Sequence, residues 1–392
     1  MSSDVVIVAA KRTPIGGLQG KLSHLSAVEL GAISHRACLE SVELPAEKVQ
    51  EVIMGCVLSA GVGQAPARQT AIKAGLSPHA QASTVNKVCG SGLQAVIHAH
   101  DSIKQGRSEI ILAGGMESMS QAPYLLPKAR SGYRLGHGQC LDHMWIDGLQ
   151  DAYDPEKKLM GCFGELAAQT LHISREMQDT FARNSMEKAL TAQKNGAFLQ
   201  EIALIMDSTE AVIQDEQPHE SKLDKLPRLK PVFKTDGTIT AGNASSIADG
   251  AASLLLMSEE KARDLQLKPL AKIKGIAGFA HAPEWFTTAP QGSIERLLKQ
   301  LRWKTSDVDL WEINEAFAVV TLAAIQGLQL APERVNVHGG ACALGHPIGA
   351  SGARILVSLI YALQQRQLSK GVASICIGGG EALAIAIERN QA

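Results

Sequence analysis

Two thiols, one imidazole and one amide stand in settings that plain core packing does not call for. Cys89 lies in Val85-Asn-Lys-Val-Cys-Gly-Ser-Gly92, just ahead of Leu93, Val96, Ile97 and Ile103 at helical spacing. A thiol before a helix feels the partial positive charge of the exposed N–H groups, and Lys87 adds a cation nearby in sequence. Both favour the thiolate, the nucleophilic form. Gly90 and Gly92 keep side chains out of a substrate's way. A buried structural cysteine is the commoner fate of the residue, but the flanking glycines and the helix start point to a nucleophile.

His346 sits in Gly339-Gly-Ala-Cys-Ala-Leu-Gly-His-Pro-Ile-Gly-Ala-Ser-Gly352, a glycine-dense loop between a strand and a helix. Loops at strand ends are where α/β proteins place their sites, so His346 reads as a base or donor on rigid backbone. A capping or core histidine would not need so many glycines. The loop lacks GxxxxGK[ST], so it is not read as a phosphate loop. Cys376 ends an apolar strand before Gly378-Gly-Gly380 and, taken alone, is a strand residue. Asn314 ends the run Asp309–Ile313; it could hold a water, donate to an oxyanion, or cap a helix.

These residues need a scaffold, and the apolar pattern describes one. Val5–Ala10, Glu51–Val57 and Glu109–Gly114 read as buried strands, with helices over Ser26–Leu39 and Leu93–Ile103. Leu270–Ala277, Asp309–Ile313, Val335–Val337 and Val372–Ile377 read as further strands, with helices over Glu315–Gln326 and Ala353–Gln364. This βαβ grammar predicts an α/β fold with a largely parallel sheet. It also repeats. Ser91-Gly92 opens one apolar helix and Ser351-Gly352 another, 260 residues on; strands ending in Gly114-Gly115 and Gly378-Gly379 follow, 264 apart. Two copies of one unit explain that order better than chance. Between them, roughly Ser120 to Ala241 is rich in Pro and charge, with helical spacing over Glu165–Leu190. It reads as a long excursion, either a lid, an oligomer arm or a plain structural insert.

Composition narrows the function classes. Across 392 residues, 38 Lys+Arg against 39 Asp+Glu leave a net charge of −1, which supplies no general phosphate-neutralising surface; no nucleic-acid partner is expected. With 45% hydrophobic residues the chain is not disordered. No stretch approaches the roughly 20 apolar residues of a membrane span, and Val5–Ala10 is too short for a signal h-region. Seven cysteines, an odd number without a CxxC pair, suit reduced thiols and a cytoplasmic location. No Cys/His cluster has metal-ligand spacing, so no metal is expected.

Five motifs in register carry a resemblance. Val85–Gly92, Gly242-Asn-Ala-Ser245, Asn314-Glu-Ala-Phe-Ala318, Gly345-His-Pro-Ile-Gly-Ala-Ser-Gly352 and Cys376-Ile-Gly-Gly-Gly380 together resemble the thiolases, closest to the acetyl-CoA acetyltransferases. Arg12-Thr-Pro-Ile-Gly16 and Gly114-Gly-Met-Glu-Ser-Met119 match as well. The resemblance implies a layered α/β fold of two duplicated βαβαβαββ domains with an inserted loop domain. It divides the chain into 1–120 plus 247–269 (N-terminal domain), 121–246 (loop domain) and 270–392 (C-terminal domain).

The resemblance also implies roles. Cys89 would take the acyl group, giving ping-pong kinetics. His346 would accept the thiol proton, and Cys376 would exchange the α-proton of the second acetyl-CoA. His346 with a water on Asn314 would stabilise the enolate, and the N–H groups of Cys89 and Gly378 the acyl-cysteine oxyanion. Ser245 matches a pantetheine contact, Leu149, Ala316 and Phe317 a tunnel, and Met160 an acyl pocket. Coenzyme A and acetyl-CoA would be substrates, no cofactor would be required, and the assembly would be a homotetramer, a dimer of dimers.

Departures leave other readings in play. Leu159 replaces a common His, the loop Asp154–Lys158 is longer, Phe286 stands where a Met is usual, and no arginine matches near Asp215–His219. Glu381 follows the last glycine, where a neutral residue is common. Phe286 and Leu159 motivate a broader-chain 3-ketoacyl-CoA thiolase; the altered CoA contacts motivate a silent CoA-binding scaffold. A Cys-His-Asn protease fits residue types only.

Overall fold

The computed structural model describes residues 4–206 and 211–389. Nine strands longer than two residues form one sheet among them. They are β1 (Val5–Arg12), β2 (Glu51–Gly55), β3 (Gln81–Val85), β4 (Ile110–Ser118) and β5 (Ala248–Ser258), then β6 (Ala271–Ala280), β7 (Leu310–Ile313), β8 (Lys370–Ile377) and β9 (Glu381–Glu388). Their order is β7-β8-β9-β6-β1-β5-β4-β2-β3.

The order is nearly palindromic about the β1–β6 junction. In the first half β1 is followed outward by β5, β4, β2 and β3; in the second, β6 is followed by β9, β8 and β7. The position matching β3 is taken by Val335, which makes a single parallel bridge to Trp311 of β7. The strand expected over Val335–Val337 is therefore one bridge, not a strand.

The sheet is mixed rather than largely parallel. Parallel pairs are β2–β3, β2–β4 and β7–β8. Antiparallel pairs are β1–β5, β1–β6, β4–β5, β6–β9 and β8–β9. The cause is the last strand of each copy, which folds back on its predecessor. Gly378-Gly-Gly380 turns β8 directly into β9. In the first copy the same connection is stretched into residues 119–247, after which β5 pairs back along β4 from Asp249↔Ser118 to Met257↔Ile110. The excursion is thus an expanded hairpin turn. Within it the helix expected over Glu165–Leu190 is two, α4 (Met160–Thr170) and α5 (Arg175–Lys194). His172 breaks them with φ 54°, and Ser174 caps the second by accepting from the Met177 N–H.

Helices cover both faces. On one side lie α1 (Ala27–Glu40) and α2 (Pro66–Lys73) over the first half, and α7 (Ala289–Leu301) and α8 (Ala318–Leu328) over the second. The short helix α6 (Glu259–Asp264) follows β5. The other side carries α3 (Ser91–Lys104) and α9 (Ser351–Gln365), the two helices that the repeated Ser-Gly pairs open. They pack together in a core where Leu93, Val96, Leu356 and Ile360 are fully shielded. Gly92 and Gly352 allow this. A Cβ on Gly352 would lie 2.6 Å from the Leu93 nitrogen, and one on Gly92 2.9 Å from the Ala353 nitrogen. Because those obstacles are backbone, no side-chain adjustment relieves them. The glycines that mark the repeat hold the N-terminal ends of its two copies together, and the candidate chemistry stands at those ends.

Candidate active site

Cys89 directly precedes α3, whose N-cap is Gly90. The residue before it, Val88, has φ 48°. A β-branched side chain in the left-handed region is strained by roughly 1–3 kcal/mol, and such strain is tolerated where a turn must aim one side chain. The N–H groups of Gly378 and of Cys89 itself act to favour the thiolate at this Sγ, so the two donors expected for the acyl oxyanion lie near this sulfur. Burial outweighs them: it pushes the thiol up to about 11, and the Glu117 carboxylate pushes the same way. The expected thiolate-favouring environment is therefore corrected. Lys87, which was to help, is instead ion-paired with Glu381. At neutral pH the resting nucleophile is a thiol and needs a base.

His346 answers to that need. Its Nδ1 lies 2.6 Å from Ser351 Oγ, and Ser351 donates its single hydroxyl proton to the Pro347 carbonyl at 3.0 Å. Both contacts are satisfied only if Nδ1–H donates to the serine, which leaves Nε2 as an acceptor. Nε2 is shielded and has no protein partner. Burial, with the positive charge of Arg354 second, lowers the ring to about 3, so it is neutral at rest. No hydrogen bond joins it to Cys89. Desolvation penalises each charge alone, whereas proton transfer would create imidazolium and thiolate together, each the counter-charge of the other.

Cys376 ends β8 and is 1% exposed, packed with Met160, Phe286, Ala316 and Phe317. Burial pushes its thiol well up, and charge on Cys89 raises it further, which puts the two sulfurs within electrostatic reach. Asn314 is equally buried. Its Oδ1 faces Arg354 Nη2 at 3.5 Å; arginine can only donate, which assigns Oδ1 as the acceptor and leaves Nδ2 buried with no partner.

A cavity of about 360 Å³ gathers these elements, within the range of small-molecule sites. Cys89, His346 and Gly378 line it, as do Leu149, Met160, Ser245, Phe286, Ala316 and Phe317. Every expected site residue except Asn314 and Cys376 thus reaches the wall, and those two are buried and do not line it. Sequence reasoning missed Tyr153, Phe233 and Ile348, which also line it, and the orienting Ser351, whose signal was its place five residues after His346. Iodoacetamide inactivation of the free protein should keep accelerating from pH 7 past pH 9, as burial of the Cys89 thiol requires; a plateau below pH 8 would contradict this environment.

Comparison with known proteins agrees with this geometry. The profile of the thiolase N-terminal domain matches residues 5–260, and that of the thiolase C-terminal domain residues 267–389. An acetyl-CoA acetyltransferase of Cupriavidus necator is 47% identical, covering 99% of this chain and all of its own. A probable acetyl-CoA acyltransferase of Staphylococcus aureus is 46% identical, covering 98% and 99%. The crystal structure of the Bacillus anthracis acetyl-CoA acetyltransferase superposes with a TM-score of 0.95 at 40% identity, covering 99% of both chains. That of the Acat5 thiolase from Ascaris suum in complex with coenzyme A gives 0.94 at 43%, covering 99% and 100%. In sequence, in strand order and in the convergence of its two halves on one cavity, the chain belongs to the thiolase family.

Proposed function

We propose that the protein is an acetyl-CoA C-acetyltransferase, condensing two acetyl-CoA to acetoacetyl-CoA and CoA and running the reverse cleavage. The observation that carries this reading is the cavity walled by Cys89, His346 and Gly378, whose lining residues Met160, Phe286, Ala316 and Phe317 share a core cluster with the buried Cys376. As an acyltransferase it works in two half-reactions. Cys89 gives its proton to Nε2 of His346 and attacks the thioester carbonyl; CoA leaves with a proton, and Cys89 is acetylated. With His346 neutral again, Cys376 passes its proton to Nε2, and the resulting thiolate removes an α-proton from the second acetyl-CoA while protonated His346 serves the enolate and then the departing Cys89 sulfur. The enolate attacks the acetyl-cysteine carbonyl, the new carbon–carbon bond forms and the Cys89 sulfur departs.

Donors placed where charge develops lower the barrier by about 2.7–4 kcal/mol each. Asn314 Nδ2, through a water, and protonated His346 serve the enolate oxygen. The N–H groups of Cys89 and Gly378 serve the acyl oxygen. These groups complete the reaction without a further cofactor. Ser245 and Leu149 would hold the pantetheine arm; Met160, Ala316, Phe317 and Phe286 would enclose the acyl group.

Chain length is set by aromatic packing. Phe317 meets Phe233 edge-on at 6.0 Å and Phe286 at 6.4 Å, and Phe286 is 3% exposed. Phe286 thus closes the acyl end rather than widening it, which favours the short-chain reading over the broad-chain one. Purified protein should convert acetoacetyl-CoA and CoA to acetyl-CoA, with kcat/KM for the C4 substrate above that for C8 by about tenfold or more. Equal values would transfer the assignment to the broad-chain reading, and no turnover on either would leave a CoA-binding scaffold.

The same proposal includes the division into 1–120 plus 247–269, 121–246 and 270–392, supported by the expanded β4–β5 turn. It also includes a cytoplasmic homotetramer. Tyr124, Leu126 and Leu135 are exposed on the excursion and give an assembly something to cover; sedimentation equilibrium reads the stoichiometry.

A further inference from the structure

Glu117 is a carboxylate with no exposure, near the end of β4. It accepts three backbone N–H groups from two separate loops. Val57 at 3.1 Å and Leu58 at 3.1 Å belong to the turn after β2; Gly349, at 2.8 Å, belongs to the His346 loop. Cys56 Sγ donates to it at 3.8 Å. Three donors would ordinarily hold a carboxylate ionised at low pH. Burial opposes them and raises Glu117 to about 7.

The surroundings are built for this group. A Cβ on Gly349 would lie 2.6 Å from Glu117 Oε2, so the loop passes over the carboxylate only as glycine. The Gly349 carbonyl lies against β4, where a Cβ on Gly115 would come within 2.0 Å of it. Val57, Leu58, Met119 and Ile348 form a small apolar cluster around the carboxylate's partners, with Val88 and Cys89 packed against it. The Cys56 N–H binds the Val85 carbonyl, the start of the nucleophile segment. Two titratable side chains face Glu117, Cys56 from the end of β2 and Cys89 from the turn before α3.

We propose that Glu117 is a positioning residue for the reaction: its carboxylate clamps the His346 loop to the turn that supports Cys89, and so sets base against nucleophile. The inference rests on the acyltransferase reading of the site. One carboxylate can bind donors from both loops because its two oxygens are both acceptors; an amide of the same shape cannot. In Glu117→Gln the NH₂ must face either Leu58 N–H or the Val57 and Gly349 N–H pair, donor against donor. The same substitution removes a negative charge that disfavours ionisation of Cys89.

The experiment compares wild type, Glu117→Gln and Glu117→Asp in acetoacetyl-CoA thiolysis and in the pH dependence of iodoacetamide inactivation. Wild-type turnover first establishes that the acyltransferase reading holds. Glu117→Gln is then expected to lower kcat about 10- to 100-fold, as the loss of a charged hydrogen-bond acceptor implies, with KM little changed. Its inactivation profile should move toward lower pH by about half a unit or more, because a like charge has gone. Glu117→Asp keeps the charge but shortens the reach, so kcat falls while the inactivation profile stays near wild type. An active wild type with either variant within twofold of its kcat overturns the proposal. So does a Glu117→Gln profile that does not move, since a merely structural carboxylate would lower turnover without shifting the pH dependence. Should Glu117→Gln fail to fold, Glu117→Asp alone decides through kcat.

Discussion

Cys89→Ala abolishes both condensation and thiolysis, a loss on the order of 10⁴-fold or more. The size follows from chemistry, because without a sulfur at this position no acetyl-enzyme forms and the route splits no longer into two steps. The fold should survive. Cys89 is partly exposed at the cavity wall and alanine keeps its Cβ there, so thermal unfolding and acetyl-CoA binding stay near wild type. Cys89→Ser should be nearly as inactive: the hydroxyl is isosteric but far less acidic, and neutral His346 is a weak base for it. The measurement is direct. Wild-type protein mixed with acetyl-CoA alone gains the mass of one acetyl group, released by added CoA; neither variant does. Substantial turnover by Cys89→Ala would move the nucleophile elsewhere and with it the whole reading.

How much of this was legible beforehand differs between fold and site. The repeat was visible because both copies open their inner helices with Ser-Gly, and those glycines are forced by backbone contact between α3 and α9. Motifs tied to close approach survive in the sequence as letters. Strand direction does not. Strands β5 and β9 are shielded on both faces, so neither shows the alternation that marks an antiparallel strand with a wet side. Hence the sheet read as largely parallel. The strand expected over Val335–Val337 failed for another reason: its β-branched residues satisfy propensity, but Asn336 takes φ 46° and turns the backbone out of extension after the single bridge to Trp311.

At the site, residue types were legible and their electrostatics were not. Cysteine before a helix and beside a lysine suggested a depressed pKa. Pairing of Lys87 with Glu381 depends on a contact across 294 residues, and desolvation depends on the whole cavity. Neither is a local property of the chain. The neutral, Nδ1-protonated state of His346 likewise needs Ser351 and Pro347 in three dimensions. Glu117 was quoted only as a letter in a motif, because nothing in its neighbours reveals that two distant loops donate to it.

The second large effect is Cys376→Ala, expected to cut condensation by about 10²–10⁴-fold while leaving acetylation of Cys89 nearly intact. The separation arises because Cys376 is not the attacking sulfur and works only in carbon-acid chemistry. Its raised thiol is an asset there, since a base able to take a proton next to a thioester must hold protons tightly. The obstacle is forming that thiolate. Burial opposes it first and charge on Cys89 second. The resting Cys89 is a neutral thiol, and acetylation bars it from ionising at all, so the second obstacle is absent in the state that needs the Cys376 thiolate. Deuterium exchange into the methyl group of acetyl-CoA in D₂O tests this. Wild type should catalyse exchange, Cys376→Ala should not, and both should still acquire the acetyl group. Persistent exchange in Cys376→Ala would assign the α-proton to another base, with His346, which lines the cavity, the first to test.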